Sequence, residues 1–329
     1  MDIIKNISII FISIFFESLP FLLLGSIISS IIETYVSNEQ IAKMIPKNKI
    51  LGSIVGVFLG FFIPACDCAV IPVSKRLLKK KVPINVAISF MLASPIINPV
   101  VLLSTYNAFY RTNPEIFWYR LLLGIIIALV IGIIMGLIFG NREVITNNTD
   151  DEEECECCSC HHHHHEDCLE EVDEMFNDLK GEVKREHHHD HKHSFKNDLL
   201  SICKHTAYDL FEVAKFLMFG ALIASLFQVL LPRNILILFK NNNILSIIVL
   251  MVFAYLVSLC STSDSFVGKS LLLIFSESSI LAYLLLGPMI DIKNTIVLLG
   301  NYKKGFVIAL ITLIFVVIFI ASMMVVMIL

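Results

Sequence analysis

Cys66, Asp67 and Cys68 stand together in FFIPACDCAVIP, residues 61–72, two thiols around a carboxylate within an otherwise apolar stretch. As thiolates they are soft ligands, suited to Cu(I), Zn or a thiophilic metalloid. As a redox pair they are awkward, because one intervening residue strains disulfide geometry. As small apolar side chains they would simply pack. Spacing alone leaves all three readings open. Pro64 and Pro72 bracket the stretch, and each withdraws a backbone donor, so an interrupted helix is expected there.

A denser set of ligand-type residues lies further on. Cys155, Cys157, Cys158 and Cys160 run into His161, His162, His163, His164 and His165, with Cys168 just beyond; His187, His188, His189, His191 and His193 follow. Thiolate and imidazole at this density bind Zn, Cu or Ni with little demand on geometry. The spacing matches no ordered zinc finger, so adaptable, multi-site binding is expected, with no cofactor required for the protein's activity.

The elements that must position these groups follow from hydropathy. Of 329 residues, 56% are hydrophobic and 16% charged, with a mean hydropathy of +0.78. A bilayer-spanning helix needs roughly 20 apolar residues. Apolar segments occupy 7–32, 50–64, 84–106, 118–140, 205–231, 244–262, 279–300 and 304–329. The fold class is an all-α polytopic membrane protein of about eight hydrophobic segments, two of them broken or re-entrant. The first segment carries Glu17 and Pro20 and no small-residue cleavage site, so it reads as a retained helix. Residues 141–198 hold 18 of the 29 acidic residues and 6 of the 25 basic ones, leaving that stretch about −12 and the rest about +8. Three regions result: a first membrane repeat over 1–140, an acidic Cys/His-rich linker over 141–198 that is too polar to pack a core, and a second membrane repeat over 199–329.

The repeat is legible residue by residue. FFESLPFLLLGSIISSII at 15–32 aligns without gaps on LFEVAKFLMFGALIASLF at 210–227, pairing Glu17 with Glu212 and Gly25 with Gly220. At the same offset Cys66 falls on Ser261 and Cys68 on Ser263, in LCSTSDSF, which also carries Asp264. With a two-residue slip, ASPIINP at 93–99 falls on LGPMIDI at 286–292, pairing Pro95 with Pro288 and Asn98 with Asp291; Pro99 closes the first run. Matching broken segments in two repeats point to a transporter's substrate site near the bilayer midplane. Cys66, Asp67, Cys68, Pro95, Asn98, Pro99, Ser261, Ser263, Asp264, Pro288 and Asp291 are therefore the candidate substrate-binding residues. Glu17 and Glu212, intramembrane carboxylates, are candidates for coupling.

Lysine and arginine set the expected orientation. Lys43, Lys47 and Lys49 precede the first polar break, and Lys75, Arg76, Lys79, Lys80 and Lys81 follow it. A hairpin that enters and returns puts all eight on the cytoplasmic side. Three full spans plus one hairpin then invert the second repeat, leave the linker cytoplasmic, and place Lys293, Lys303 and Lys304 near the cytoplasm; an eight-span parallel duplication is the alternative, and it fits the lysines less well.

PACDCAVIPVSKRLLKKKVPINVAISFMLASPIINP resembles the signature region of the ArsP/YraQ-type predicted permeases, in which Cys-x-Cys, a Pro, a basic stretch and a small-Pro-x-x-Asn-Pro run recur in that order. The resemblance implies a membrane permease, with efflux of trivalent organoarsenicals known for some members, and carries over Cys66, Cys68, Pro95, Asn98 and Pro99 as signature positions. Asp67 departs from the residue type expected there.

The reading is a permease in the cell membrane that exports a thiophilic metal, metalloid or organoarsenical, with the lipid bilayer and that small substrate as its partners, and a homo-oligomer as a further expectation. Nothing supports nucleic-acid binding. No Gly-x-x-x-x-Gly-Lys-Ser/Thr run is present, so primary pumping would need a separate ATPase. It is not read as an enzyme. Two rival classes stand beside this reading: a membrane thiol oxidoreductase using Cys66, Cys68 and Cys260, and a metal sensor whose membrane part anchors the linker.

Overall fold

The computed structural model describes residues 2–35, 46, 48–62, 67–140, 142–146, 195–230, 242–257 and 260–328. Among these the protein is helical, with a lone bridge between Ile145 and Tyr302 in place of any sheet. The helices are α1 (Asp2–Tyr35), α2 (Lys49–Phe62), α3 (Asp67–Lys79), α4 (Ile84–Ile97), α5 (Pro99–Phe109), α6 (Glu115–Phe139), α7 (Phe195–Leu230), α8 (Asn243–Val257), α9 (Ser261–Leu271), α10 (Glu277–Met289), α11 (Ile292–Asn301) and α12 (Lys304–Ile328). Residues 1–145 and 199–329 form one compact unit.

Among the described residues five stretches are long and apolar enough to cross a membrane: Ile4–Ile31, Ile84–Phe109, Glu115–Phe139, Glu277–Asn301 and Lys304–Met327. Lys49–Phe62, Val213–Val229 and Asn243–Val257 are apolar but shorter. Phe16, Phe58, Phe62, Trp118, Ile126, Phe211, Phe219 and Ile308 are exposed on the outer helices, as a lipid-facing surface requires.

α4 is the best-buried element of the first half, with every residue from Ile84 to Ile97 inside. It lies between two glycine rows. Gly52, Gly56 and Gly60 of α2 face Asn85–Val86, Val86–Ser89 and Ala93–Ser94 in that order, so α2 runs parallel to α4. Gly124, Gly132 and Gly136 of α6 face Ile96, Ser89 and Asn85, so α6 runs antiparallel to it. A β-carbon at Gly60 would stand 2.9 Å from the Ser94 nitrogen. In lipid, association is driven by close van der Waals packing, and small residues permit it.

The parallel packing also sets the level of α2 against α4. The Asn85 amide donates to the Lys49 carbonyl at 2.7 Å, so α2 and α4 start level. α3 begins just beyond the far end of α2 and ends four residues before α4 starts. α3 packs on α1 and on α4. At 14 residues, α2 is about 21 Å long, short of the roughly 30 Å hydrocarbon core. Pro72 does not break a helix as the sequence led one to expect: it is the sixth residue of α3, and the helix continues past it to Lys79.

Helices before residue 146 meet helices after residue 194 at several points. Ile14 of α1 packs with Ala221 and Ala224 of α7, while Thr206 of α7 donates to Ser30 of α1 at 3.0 Å. Phe139, at the end of α6, meets Phe306, near the start of α12. Asn113, just after α5, donates to Glu277 at the start of α10. α4 packs against α10, α9 on α5 and α3 on α11.

Candidate functional site

Two spans break at matched places. In the first, α4 stops at Ile97, and Asn98 takes an extended conformation (φ −54°, ψ 130°) before α5 begins with Pro99. Asn98 is buried, and its side-chain oxygen accepts from the Val100 N–H at 3.0 Å. Its own N–H donates to the Ser94 carbonyl at 3.2 Å. In the second, α10 stops at Met289 and Asp291 is extended (φ −134°, ψ 177°). One Asp291 oxygen accepts from the Asn294 N–H at 2.7 Å. Both residues are N-caps, satisfying donors that a helix start leaves open. Pro95 and Pro288 are buried within α4 and α10 near their ends, and Pro99 is exposed at the first turn of α5.

The second break also holds an ion pair. Lys293 Nζ lies 3.1 Å from Asp291 Oδ2, and both side chains are 1% exposed. Lys293 therefore lies buried inside the span Glu277–Asn301. Two residues past the cap, its ammonium returns to the carboxylate that starts the helix. Gly220 of α7 admits its own backbone here, since a β-carbon at that position would stand 2.8 Å from Lys293 Cα. Thr295 donates to the Asp291 carbonyl at 2.8 Å, and the Tyr255 hydroxyl donates to Thr295 at 3.0 Å.

A larger polar cluster gathers at the start of α9, the counterpart of the Cys66–Cys68 stretch. Ser263 donates to Glu17 of α1 at 3.2 Å, joining a coupling candidate to a substrate-site candidate. Asp264 is fully buried, and the Tyr283 hydroxyl of α10 donates to its Oδ1 at 3.0 Å. Ser261 presents its carbonyl to Arg120 Nη2 at 3.4 Å. Arg120 Nη1 donates to Thr105 at 2.6 Å and to Ser265 at 2.7 Å. Cys260, half-buried, places its sulfur 3.4 Å from the Thr262 hydroxyl.

Arg120, Tyr283, Thr105, Ser265 and Lys293 were missed from sequence. Arg120 sits in FWYR at the head of an apolar run, the usual setting for an arginine that reaches out to the interface. Its fully buried side chain shows otherwise. The signal that was available was its place inside an apolar segment, where an ionisable residue is a functional candidate by default.

Not all candidates fall within the described residues. Cys66 lies outside them, as do the side chains of Asp67, Cys68 and Glu212 and the ligand-type residues of the linker, Cys155 to His193. Asp67 and Cys68 open α3 in their backbone. Among the described residues no three His, Cys, Asp or Glu side chains are grouped as a metal site.

The chain matches a family described as predicted permeases over residues 3–327. It is 35% identical over 316 residues to UPF0718 protein YcgR of Bacillus subtilis (strain 168), covering 96% of this chain and 95% of that protein. It is also 35% identical over 298 residues to a putative two-component membrane permease complex subunit of Streptococcus mutans serotype c, covering 91% of this chain and 87% of the relative. No solved structure matches it. Broken spans with buried polar caps, multiple apolar helices and similarity along nearly the whole chain place this protein in the ArsP-type predicted permease family.

Proposed function

We propose that the protein is a secondary permease that moves a thiophilic metal, metalloid or organoarsenical out of the cell. The observation that carries this reading is the matched pair of breaks. Asn98 and Asp291, paired by the repeat alignment, both cap half-helices inside apolar spans. Irregular backbone at that depth is tolerated only where it is buried in protein or lines a cavity. The meetings of α1 with α7 and of α6 with α12 support two inverted repeats, each with three spans and one re-entrant hairpin.

In this reading Cys66 and Cys68 hold the substrate transiently through soft thiolates, with Pro95, Asn98, Pro99, Ser261, Ser263 and Pro288 shaping the site. Asp67, Asp264 and Asp291 take part in proton coupling, and Glu17 and Glu212 assist. The Ser263–Glu17 bond supports that assistance by joining the two sets. The linker collects Zn, Cu or Ni on the cytoplasmic side through Cys155–Cys168 and His187–His193. The plasma membrane is its location, and it assembles as a homo-oligomer or with a second component; the Streptococcus mutans relative is named as a putative subunit of a two-component membrane permease complex.

Uptake into everted vesicles tests the reading, with Zn²⁺, Cu⁺, Ni²⁺ and methylated trivalent arsenicals as the panel. One of these should accumulate with wild-type protein and lose at least about tenfold in rate with Cys66→Ser or Cys68→Ser, a factor worth about 1.4 kcal/mol. Unchanged flux in both variants would remove the ligand role.

A further inference from the structure

One seam between the two halves is built around a charge. Arg120 belongs to α6 and is fully buried. A guanidinium stays protonated at any accessible pH, so this charge is permanent. The bonds named above reach both halves: Thr105 is on α5, in the same half as Arg120, and Ser265 and the Ser261 carbonyl belong to α9. Two further bonds follow the same line: the Thr105 and Ser265 hydroxyls are 3.1 Å apart, and Ser104 donates to the Thr262 carbonyl at 2.9 Å. These partners lie in the first turns of α9, beside Asp264, whose carboxylate is held by Tyr283 of α10.

A seam of this kind does not yield gradually. If α9 moves against α5 and α6, Arg120 keeps Thr105 and gives up Ser261 and Ser265 together. Stripping acceptors from a buried charge is costly, and packed interfaces change between discrete arrangements. We infer that Arg120 is the clasp that holds α9 against α5 in the conformation described here, and that the transport cycle opens it. The inference rests on the permease reading, but its test does not depend on what is carried.

Cys260 sits at the head of α9 and reports that movement. In the full chain with the other eight of its nine cysteines changed to serine, reconstituted in vesicles, a membrane-impermeant maleimide is applied from either side. One side labels Cys260 faster. Arg120→Gln should raise labelling from the slower side about tenfold and change the faster side less than about twofold, the signature of a shift between two populated states. Arg120→Lys keeps the charge without the fork and should fall between, at about threefold. Ser265→Ala removes one acceptor without touching the charge. It should give a similar one-sided rise of about threefold even if Arg120→Gln fails to fold. An equal rise from both sides would mean loosened packing and would overturn the clasp, as would no change in any variant. Failure of the permease reading is seen separately, as absent flux across the metal and arsenical panel in the wild-type protein, whose Cys66 and Cys68 are intact, while the Cys260 reporter protein still labels one-sidedly.

Discussion

Asn98 and Asp291 do the same job in two different ways. Each is extended and each caps the half-helix that follows it, but only Asp291 is also gripped by a lysine two residues on. The first cap is a neutral amide serving one N–H. The second is a carboxylate whose two oxygens serve an N–H and an ammonium. The two breaks share a shape and differ in charge.

That difference sets unequal costs for losing the caps. Asn98→Ala should destabilise the protein by about 1 kcal/mol, the typical value for a lost cap. Asp291→Ala also leaves Lys293 buried without its carboxylate, and should cost about 3–5 kcal/mol. Asp291→Ala with Lys293→Met should recover most of that loss, because the orphaned charge is gone. Unfolding in detergent, followed by circular dichroism, checks all three; a double variant as unstable as Asp291→Ala would show that the pair is not coupled.

The glycine row of α2 predicts a sharp contrast between neighbouring positions. Gly60→Leu must push α2 away from Ser94 and should abolish the monodisperse folded peak in size-exclusion chromatography. Phe58→Leu, two residues earlier on the exposed face, should leave that peak unchanged. Equal behaviour of the two would refute the close packing of α2 on α4.

Tyr283→Phe removes the hydroxyl that Asp264 accepts from, with little change in volume. Loss of a hydrogen bond to a buried charged group should cost about 1.5–3 kcal/mol. The same measurement on Ser263→Ala, whose bond to Glu17 is half-buried, should give a smaller loss. The ranking, read from thermal midpoints of the two variants side by side, is the test.

Deleting residues 147–194 should leave the membrane unit folded and transporting, since 1–145 and 199–329 form a compact body among themselves. Metal content after dialysis should fall with the deletion. Retained flux in the deleted protein would eliminate the sensor reading; loss of all flux would overturn the independence of the membrane unit from the linker.

How much of this was legible in the sequence depended on pattern length. Long apolar runs identified the spans, and Asn98 and Asp291 marked both breaks because polar residues are conspicuous in apolar surroundings. Pro72 misled, since a proline within a helix is accommodated when surrounding helices bury that turn, as they do here. The pairing of Lys293 with Asp291 was not legible, because counting lysines assigns sides to loops and does not say which carboxylate a lysine meets. Arg120 was hidden by its position beside aromatic residues, where charge is ordinary. Its partners Thr105 and Ser265 are 160 positions apart in the chain, and no local pattern connects them.

The shortness of α2 has a consequence for how the chain is made. A 14-residue apolar helix cannot anchor itself across a bilayer, and its glycine face offers lipid little to hold. Its partner, α4, is synthesised later, with the whole of α3 between them. Stable insertion of α2 is therefore expected to be coupled to the emergence of α4, whose surface its glycine face fits.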